Sequence, residues 1–98
     1  MTNLELHFWY KTYNRKYFGG KLRAAKVKFA GIQGLGVTHL EWREIFISKD
    51  FKKWRAVALM TLLHEMVHLW LPKKYNHGVR FQKEMLRLAK AGAFRGIW

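Results

Sequence analysis

The amino-acid sequence predicts an α+β domain with the element order helix, sheet, helix, helix. Apolar residues recur at helical steps in residues 2–18 and in two segments after residue 52. Between these segments lie three short stretches of β-forming residues, the first two of which are separated by a glycine-rich turn. A chain of 98 residues supports one modest hydrophobic core, so we expect residues 1–98 to form a single domain.

The first helix is expected from about residue 2 to residue 18. Thr2 or Asn3 can serve as its N-cap, and Gly19-Gly20 is suited to end it. Its buried stripe follows steps of four, three and four residues along Leu6, Tyr10, Tyr13 and Tyr17.

Residues 25–30, 37–42 and 44–48 are predicted to form a small, mostly antiparallel, three-stranded sheet. In the first strand, Val27 and Phe29 alternate with lysines and should face the core. The second strand is less regular, and the third is nearly continuous in apolar character.

Two further helices are predicted over about residues 53–71 and 77–91. The earlier one is apolar nearly all round from Ala56 onward, which marks it as central and buried, and Pro72 enforces its end. Its apolar positions recur at three- and four-residue steps, at Val57, Met60, Leu63, Val67 and Trp70. The last helix carries a buried stripe of Phe81, Met85 and Leu88.

The composition limits both the chemistry and the cellular location. Without cysteine, the chain cannot form disulfides or Cys-ligated metal sites, so any metal must be bound by His, carboxylate or backbone oxygen. No apolar run is long enough to span a membrane, and the first ten residues lack the layout of a signal peptide. We therefore expect a soluble monomer with no membrane partner. It should not be secreted, and it should lie in the cytoplasm or on the nucleoid, or in the nucleus of a eukaryote.

The charge of the chain points to an anionic partner. Nineteen Lys and Arg face six Asp and Glu, which gives a formal net charge of +13. So large an imbalance costs self-repulsion, which binding to nucleic acid would relieve. The alternative is that the positive charge only keeps an aromatic-rich surface soluble.

The run His64-Glu65-Met66-Val67-His68 carries the strongest chemical signal. Two histidines four residues apart project from one face of a helix and can bind one zinc ion. Glu65 can activate a zinc-bound water for attack on a peptide carbonyl and then pass the proton to the leaving amine. The pattern would arise in about one of 80 shuffled chains, but it lies in the most hydrophobic helix, where unsatisfied polar groups are costly. The competing interpretation is a pair of hydrogen-bonded core histidines beside an ion-paired Glu65.

Zinc needs another protein ligand, and the candidates are His77 and Glu84. They would lie about 10 Å apart along a regular helix, so both cannot easily bind the same ion. We select His77, because Gly78 beside it lets the backbone approach the metal closely. Glu84 then serves as an orienting residue or as part of a surface ion pair.

Three other polar residues carry weaker signals. Tyr75 can donate a hydrogen bond to the oxyanion of a tetrahedral intermediate, or it can pack against the loop before the last helix. His39 can line the cleft from the second strand. The ordinary interpretation of both His39 and His7 is a surface or half-buried histidine.

Three segments between about residue 13 and residue 85 together resemble a known family. They are Tyr13-Asn14-Arg15-Lys16-Tyr17-Phe18-Gly19-Gly20-Lys21-Leu22, Leu62-Leu63-His64-Glu65-Met66-Val67-His68, and His77-Gly78-x-x-Phe81 followed by Met85. In order and spacing they are similar to the motifs N-x-x-Y-F-x-G-x-L, L-x-H-E-M-x-H and H-G-x-x-F…M of the SprT-like metalloproteases. That family includes the Spartan-type DNA–protein crosslink proteases.

The resemblance implies a zincin-like catalytic domain that holds one zinc ion through His64, His68 and His77, with Glu65 as catalytic acid and base. It also implies an endopeptidase that cleaves DNA-associated or DNA-crosslinked proteins. Many members carry a Cys-rich zinc ribbon or further DNA- and ubiquitin-binding regions after this domain. Since the chain has no cysteine, we expect DNA dependence to rest on the domain's own surface, or to be absent.

Basic residues offer such a surface, and phosphate contacts of this kind give salt-sensitive, sequence-independent binding. The candidate contacts lie in two groups, one at Lys52, Lys53 and Arg55 and the other at Lys73, Lys74 and Arg80. A further basic group consists of Lys21, Arg23, Lys26 and Lys28. The alternative is that the group beside His77 belongs to a solvated loop and does not contact DNA.

Two other functions fit the same sequence. A structural zinc and a basic surface would make a nucleic-acid-binding module without proteolytic activity, although a structural site needs a fourth protein ligand. A minimal peptidase could also use its charge to select acidic protein targets instead of DNA-bound ones.

Overall fold

The computed structural model describes residues 1–71 and 77–97 and has the predicted α+β architecture. Three helices and three strands follow one another in the predicted order, and a short 3-10 turn, Lys49–Phe51, follows the last strand. The elements are α1 (Asn3–Tyr17), β1 (Lys26–Ala30), β2 (Gly36–His39), β3 (Glu44–Ser48), α2 (Arg55–Trp70) and α3 (Val79–Lys90).

Helix α1 begins and ends at local signals that its sequence supplies. The Thr2 side chain accepts a hydrogen bond from the backbone N–H of Glu5, and the Glu5 carboxylate accepts one from the backbone N–H of Thr2. At the other end, Gly19 and Gly20 adopt φ values of +61° and +71°, which favour glycine and turn the chain away from the helix. Both ends agree with the prediction.

The sheet is mixed, which corrects the expectation of a mostly antiparallel one. Its strand order is β1-β3-β2, with β1 parallel to β3 and β2 antiparallel to β3. The hairpin that joins β2 to β3 folds β3 back between the other two strands, so β3 runs in the same direction as β1. Strand β2 ends at His39, earlier than predicted, because residues 40–43 form the hairpin turn and Arg43 has a φ of +52°. Strand β2 is therefore an edge of the described sheet.

Helix α2 lies at the centre of the domain, as its nearly continuous apolar sequence predicts. It contacts α1, β2, β3 and α3. Its fully buried side chains include Leu59, Leu62, Leu63, Met66 and Val67. Each such side chain contributes about 1.5–3 kcal/mol by burial, so the helix that carries the histidine pair is also the main support of the core.

Helix α3 begins two residues later than predicted. Gly78 is its N-cap, and His77 precedes it with a φ of +54°. Phe81 and Leu88 are buried, while Met85 is half-buried against the core. Among the described residues, none of the helices has the length and apolar character required to cross a membrane.

Candidate metal centre and catalytic site

Three histidine side chains converge on one point beside α2. His64 and His68 lie one turn apart on the same face of that helix, and His77 reaches them from the residue before the N-cap of α3. The Nε2 atom of His77 lies 3.2 Å from Nε2 of His64 and 3.1 Å from Nε2 of His68. One ligand nitrogen from each ring lies within 4.8 Å of the others. The structure thus brings together the three residues that the sequence analysis selected.

These distances fit a divalent metal ion. Zinc binds imidazole nitrogen at about 2.0–2.1 Å, and two ligands at a tetrahedral angle are then about 3.3 Å apart. The two His77 separations come within a few tenths of an ångström of this value. Three imidazoles of this geometry can hold a metal ion and leave further coordination positions open.

Electrostatics keep the two helical imidazoles in the neutral form that binds metals. Burial, together with the charge of His77, lowers the pKa of His64 below its usual value. Burial lowers the pKa of His68 to about 4, with further contributions from His64 and His77. Their lone pairs are therefore available near neutral pH, without competition from protons.

Phe81 forms an apolar floor beneath the three rings. Its ring centroid lies 4.8 Å from that of His64, 4.6 Å from that of His68 and 5.0 Å from that of His77. The Phe81 side chain is only 2% exposed. Packing against the buried Phe81 ring restricts the rotation of the three imidazoles. Binding of a metal ion would then cost them little further conformational freedom.

The backbone of His77 adopts an uncommon conformation. A φ of +54° lies in the left-handed region, which residues other than glycine enter at a cost. The conformation directs the imidazole back toward α2, while Gly78 after it starts α3. The residue with this strained backbone is thus the one that supplies the third ring of the cluster.

Glu65 lies next to the histidine cluster and is buried. The side chain is 6% exposed, and its Oε2 lies 4.0 Å from Nε2 of His64. The hydroxyl of Thr38, on β2, donates to Oε1 at 2.9 Å and also contacts the backbone oxygen of Glu65 at 3.2 Å. Burial raises the pKa of Glu65 above its usual value, and the hydrogen bond from Thr38 opposes that rise. Such a carboxylate is a stronger base than one in water, and it is held in a defined orientation.

Close approach of β2 to α2 makes this contact possible. A Cβ atom at Gly36 would lie 2.7 Å from Cγ2 of Thr61 and 3.3 Å from Cγ and Oε2 of Glu65. Only glycine therefore allows the strand to approach the helix so closely without displacing one of these side chains. The same approach brings Thr38 within hydrogen-bonding distance of the carboxylate.

An apolar cavity of about 330 Å³ opens beside His64 and Glu65. Its other walls come from the loop before β2, from α2, from α3 and from the segment after α3, with Leu35, Met60, Thr61, Met85 and Phe94 as lining residues. The Glu65 carboxylate thus borders both the histidine cluster and a space suited to an apolar side chain.

Glu84 lies outside the histidine cluster. Its carboxylate accepts from Nε of Arg87 at 2.5 Å and 2.9 Å, an ion pair between neighbouring turns of α3. Of the two roles that the sequence left open for Glu84, the ion pair is the one observed. His39 packs its ring 5.5 Å from that of Phe46 on the sheet.

The predicted basic contacts are distributed over two elements. Lys52 and Lys53 are exposed in the turn before α2, Arg55 is exposed at the start of α2, and Arg80 is exposed in the first turn of α3. Lys73, Lys74 and Tyr75 lie outside the described residues.

Two site residues were missed by the sequence reasoning, namely Thr38 and Gly36. An isolated glycine at a strand position indicates close approach of another backbone or side chain, so Gly36 carried a usable signal. Thr38 carried none, because only the packing of β2 on α2 reveals that its hydroxyl faces Glu65.

Comparison with known protein families supports the assignment that the motifs suggested. The profile of the SprT-like family matches residues 6–96, which is nearly the whole chain. Comparisons with curated proteins and with solved structures give no significant match.

Proposed function

Since this chain belongs to the SprT-like family over residues 6–96, we propose that it is a zinc-dependent endopeptidase that cleaves DNA-associated or DNA-crosslinked proteins. The observation that carries the proposal is the adjacency of three convergent imidazoles to a buried carboxylate that Thr38 holds in place. The family supports the metallopeptidase type, and the site supplies residues for its chemistry.

In the proposed reaction, Nε2 atoms of His64, His68 and His77 would hold one zinc ion. When bound, zinc polarises the scissile carbonyl and lowers the pKa of the attacking water. Glu65 takes a proton from that water at a carboxylate oxygen and delivers it to the leaving amine nitrogen. Thr38 keeps Oε1 fixed, which leaves Oε2 on the His64 side to carry the proton.

We propose that the substrate chain binds along β2. This strand has an unpaired edge within the described sheet, and its residue Thr38 touches Glu65. An extended peptide can pair with such an edge and add a strand to the sheet. Bound in this way, it would pass next to the Glu65 carboxylate. One of its side chains could then enter the apolar cavity beside His64 and Glu65.

The DNA part of the proposal is supported by charge. A formal net charge of +13 on 98 residues favours association with a polyanion, and a protease held on DNA meets DNA-bound proteins at high local concentration. The competing functions are a zinc-containing nucleic-acid-binding module without proteolytic activity and a peptidase for acidic proteins that ignores DNA.

Glu65→Gln tests the proposal directly. The amide has nearly the same shape as the carboxylate but cannot accept the proton, so cleavage of a histone-like, DNA-bound protein should fall by at least about 100-fold. Zinc content, measured by atomic absorption, should remain at one ion per chain. Glu84→Gln is the matched control, because Glu84 pairs with Arg87 away from the cluster, and its cleavage rate should equal that of the wild type.

Each outcome separates one function from the others. A wild-type protein that cleaves no protein, with or without single- or double-stranded DNA, overturns the peptidase and favours the binding module. Cleavage that DNA leaves unchanged favours the peptidase for acidic targets. Cleavage that DNA stimulates and Glu65→Gln abolishes supports the proposal in full.

A further inference from the structure

A second concave surface lies on the side of α2 that faces away from the histidine cluster. It is a groove of about 600 Å³ between α1, the first turns of α2 and residues 91–97. Arg55 and His64 are nine residues apart on α2, which corresponds to a half-turn around the helix and about 14 Å along its axis. The groove and the proposed catalytic site are therefore separate.

The groove combines cations with aromatic rings. Lys16, Arg55 and Arg95 supply the charge, and Trp9, Tyr13 and Tyr17 supply the rings. The guanidinium carbon of Arg55 lies 5.0 Å from the centroid of the Trp9 ring, and Nζ of Lys16 lies 5.9 Å from that of Tyr17. Two of the rings thus each have a cation beside them.

The cations of the groove lack carboxylate partners within the part of the chain that the structure describes. None of the lining residues is acidic, and the described ion pairs involve other side chains. Burial raises the pKa of Tyr13 to about 12, so that its hydroxyl stays neutral and adds no negative charge. Among the described residues, no carboxylate offsets the positive charge of the groove, which favours an anionic ligand.

We infer that this groove binds nucleotide units of single-stranded nucleic acid, with bases stacked on Trp9 and Tyr17 and phosphates held by Lys16, Arg55 and Arg95. Charge alone would suit any polyanion, but rings with cations beside them suit a strand in which each base is attached close to a phosphate. A base must be unpaired to stack in this way, which selects single strands over duplex. A volume of about 600 Å³ also falls within the range of about 300–1,000 Å³ that is typical of ligand sites.

This assignment differs from the basic surface that the sequence suggested, since only Arg55 is common to both. It rests on the proposed function only for the identification of the bound polymer as a nucleic acid. A strand bound on the far side of α2 would leave the edge of β2 and the apolar cavity open to a protein substrate. The same chain could then hold nucleic acid and a bound protein at once.

Binding is measured by fluorescence anisotropy with the full chain, zinc-loaded and without any protein substrate. The probes are a labelled 15-nucleotide oligothymidylate, an abasic strand of equal length and charge, and a duplex of equal length. Oligothymidylate should bind more tightly than the abasic strand by about five- to a hundredfold for each stacked base, and more tightly than the duplex. Because no cleavage is required, the result does not depend on peptidase activity.

Charge reversal locates the site. The double variant Lys16→Glu with Arg95→Glu should weaken oligothymidylate binding by at least about tenfold and lower the slope of log affinity against log salt by about 1 for each lost contact. The matched control is Lys11→Glu with Lys83→Glu, which makes the same change in net charge at exposed positions of α1 and α3 that do not line the groove. It should change affinity less than about threefold. Thermal unfolding verifies that both proteins are folded, and Arg55→Gln provides a milder third variant with the same expected direction.

Three results would overturn the inference. The first is equal weakening by the two double variants, which would show that only total charge matters. The second is equal affinity for oligothymidylate and the abasic strand, which would exclude stacking. The third is duplex binding as tight as single-strand binding.

Discussion

Gly36→Ala tests whether the site depends on the close approach of β2 to α2. The new Cβ would meet Cγ2 of Thr61 at 2.7 Å, a distance that forces one of the two elements to move. Overpacking of this kind costs about 1–3 kcal/mol, while the reduced freedom of the unfolded chain returns about 0.4–1 kcal/mol. The net expected loss in the free energy of unfolding is about 1–2 kcal/mol. For a domain of this size, that loss lowers Tm by about 4–16 °C.

A second substitution tests whether the contact with Thr61 causes the loss of stability in Gly36→Ala. Thr61→Ser removes Cγ2 but keeps the hydroxyl that donates to the backbone oxygen of Val57 at 2.8 Å. Alone it should cost about 0.5–1.5 kcal/mol, as the loss of a buried methyl group does. Combined with Gly36→Ala it should cost less than the sum, with a coupling of about 1 kcal/mol. Urea unfolding of the metal-free proteins measures all four corners of the cycle.

Gly31→Ala is the matched control for the glycine substitution. The three atoms nearest to a Cβ there belong to the Lys49 side chain, the first at 3.7 Å, and the backbone does not have a positive φ. Its stability should equal or slightly exceed that of the wild type. The packing argument is wrong if Gly36→Ala behaves like Gly31→Ala, or if the losses from Gly36→Ala and Thr61→Ser simply add.

Two further predictions concern the residues to which we assign catalysis and metal binding. Thr38→Val removes the hydrogen bond to Glu65, and since a bond to a charged group contributes about 1.5–3 kcal/mol, kcat should fall about 10- to 100-fold in a peptide-cleavage assay. His77→Asn removes the third imidazole while keeping a residue type that tolerates a positive φ, so zinc affinity should fall more than about 100-fold in a chelator-competition assay.

The controls for these variants are conservative. Thr38→Ser retains the hydroxyl and should keep most of the activity, so an equal loss in Thr38→Val and Thr38→Ser would contradict the hydrogen-bond argument. His77 is exposed, and the metal-free His77→Asn protein should therefore unfold within about 0.5 kcal/mol of the wild type. Unchanged zinc affinity in His77→Asn would remove His77 from the ligand set.

Local signals predicted the helices well. The capping box at Thr2, the glycine pair after α1 and the apolar periodicity of α2 each act within a few residues, so their outcome can be deduced from sequence. The strand order could not be deduced in this way. Pairing β1 with β3 depends on where a hairpin folds in space, and nothing in the segments themselves distinguishes a parallel from an antiparallel neighbour.

The same distinction applies to the site, where some residues could be predicted from local sequence and others could not. His64, Glu65 and His68 follow a spacing that helical geometry makes informative, and His77-Gly78 follows from the need for a further ligand. Thr38 and Gly36 contribute through a contact between elements that are far apart in the chain. The groove around Arg55 could not be predicted from sequence either, because α1 and the segment after α3 meet there only in the folded protein.

The position of the three imidazoles has a consequence for folding. His64 and His68 belong to one helix, and His77 belongs to the chain that leads into the next, so an ion bound by all three ties two segments together. In a chain without cysteine, such an ion would crosslink the two segments as a disulfide does in other proteins. Because an ion at this site would bind the folded state preferentially, saturation at about 1,000 times its dissociation constant would add about 4 kcal/mol to the free energy of unfolding. Metal supply would then set the lifetime of the folded protein as well as its activity, and chelation would expose the chain to degradation.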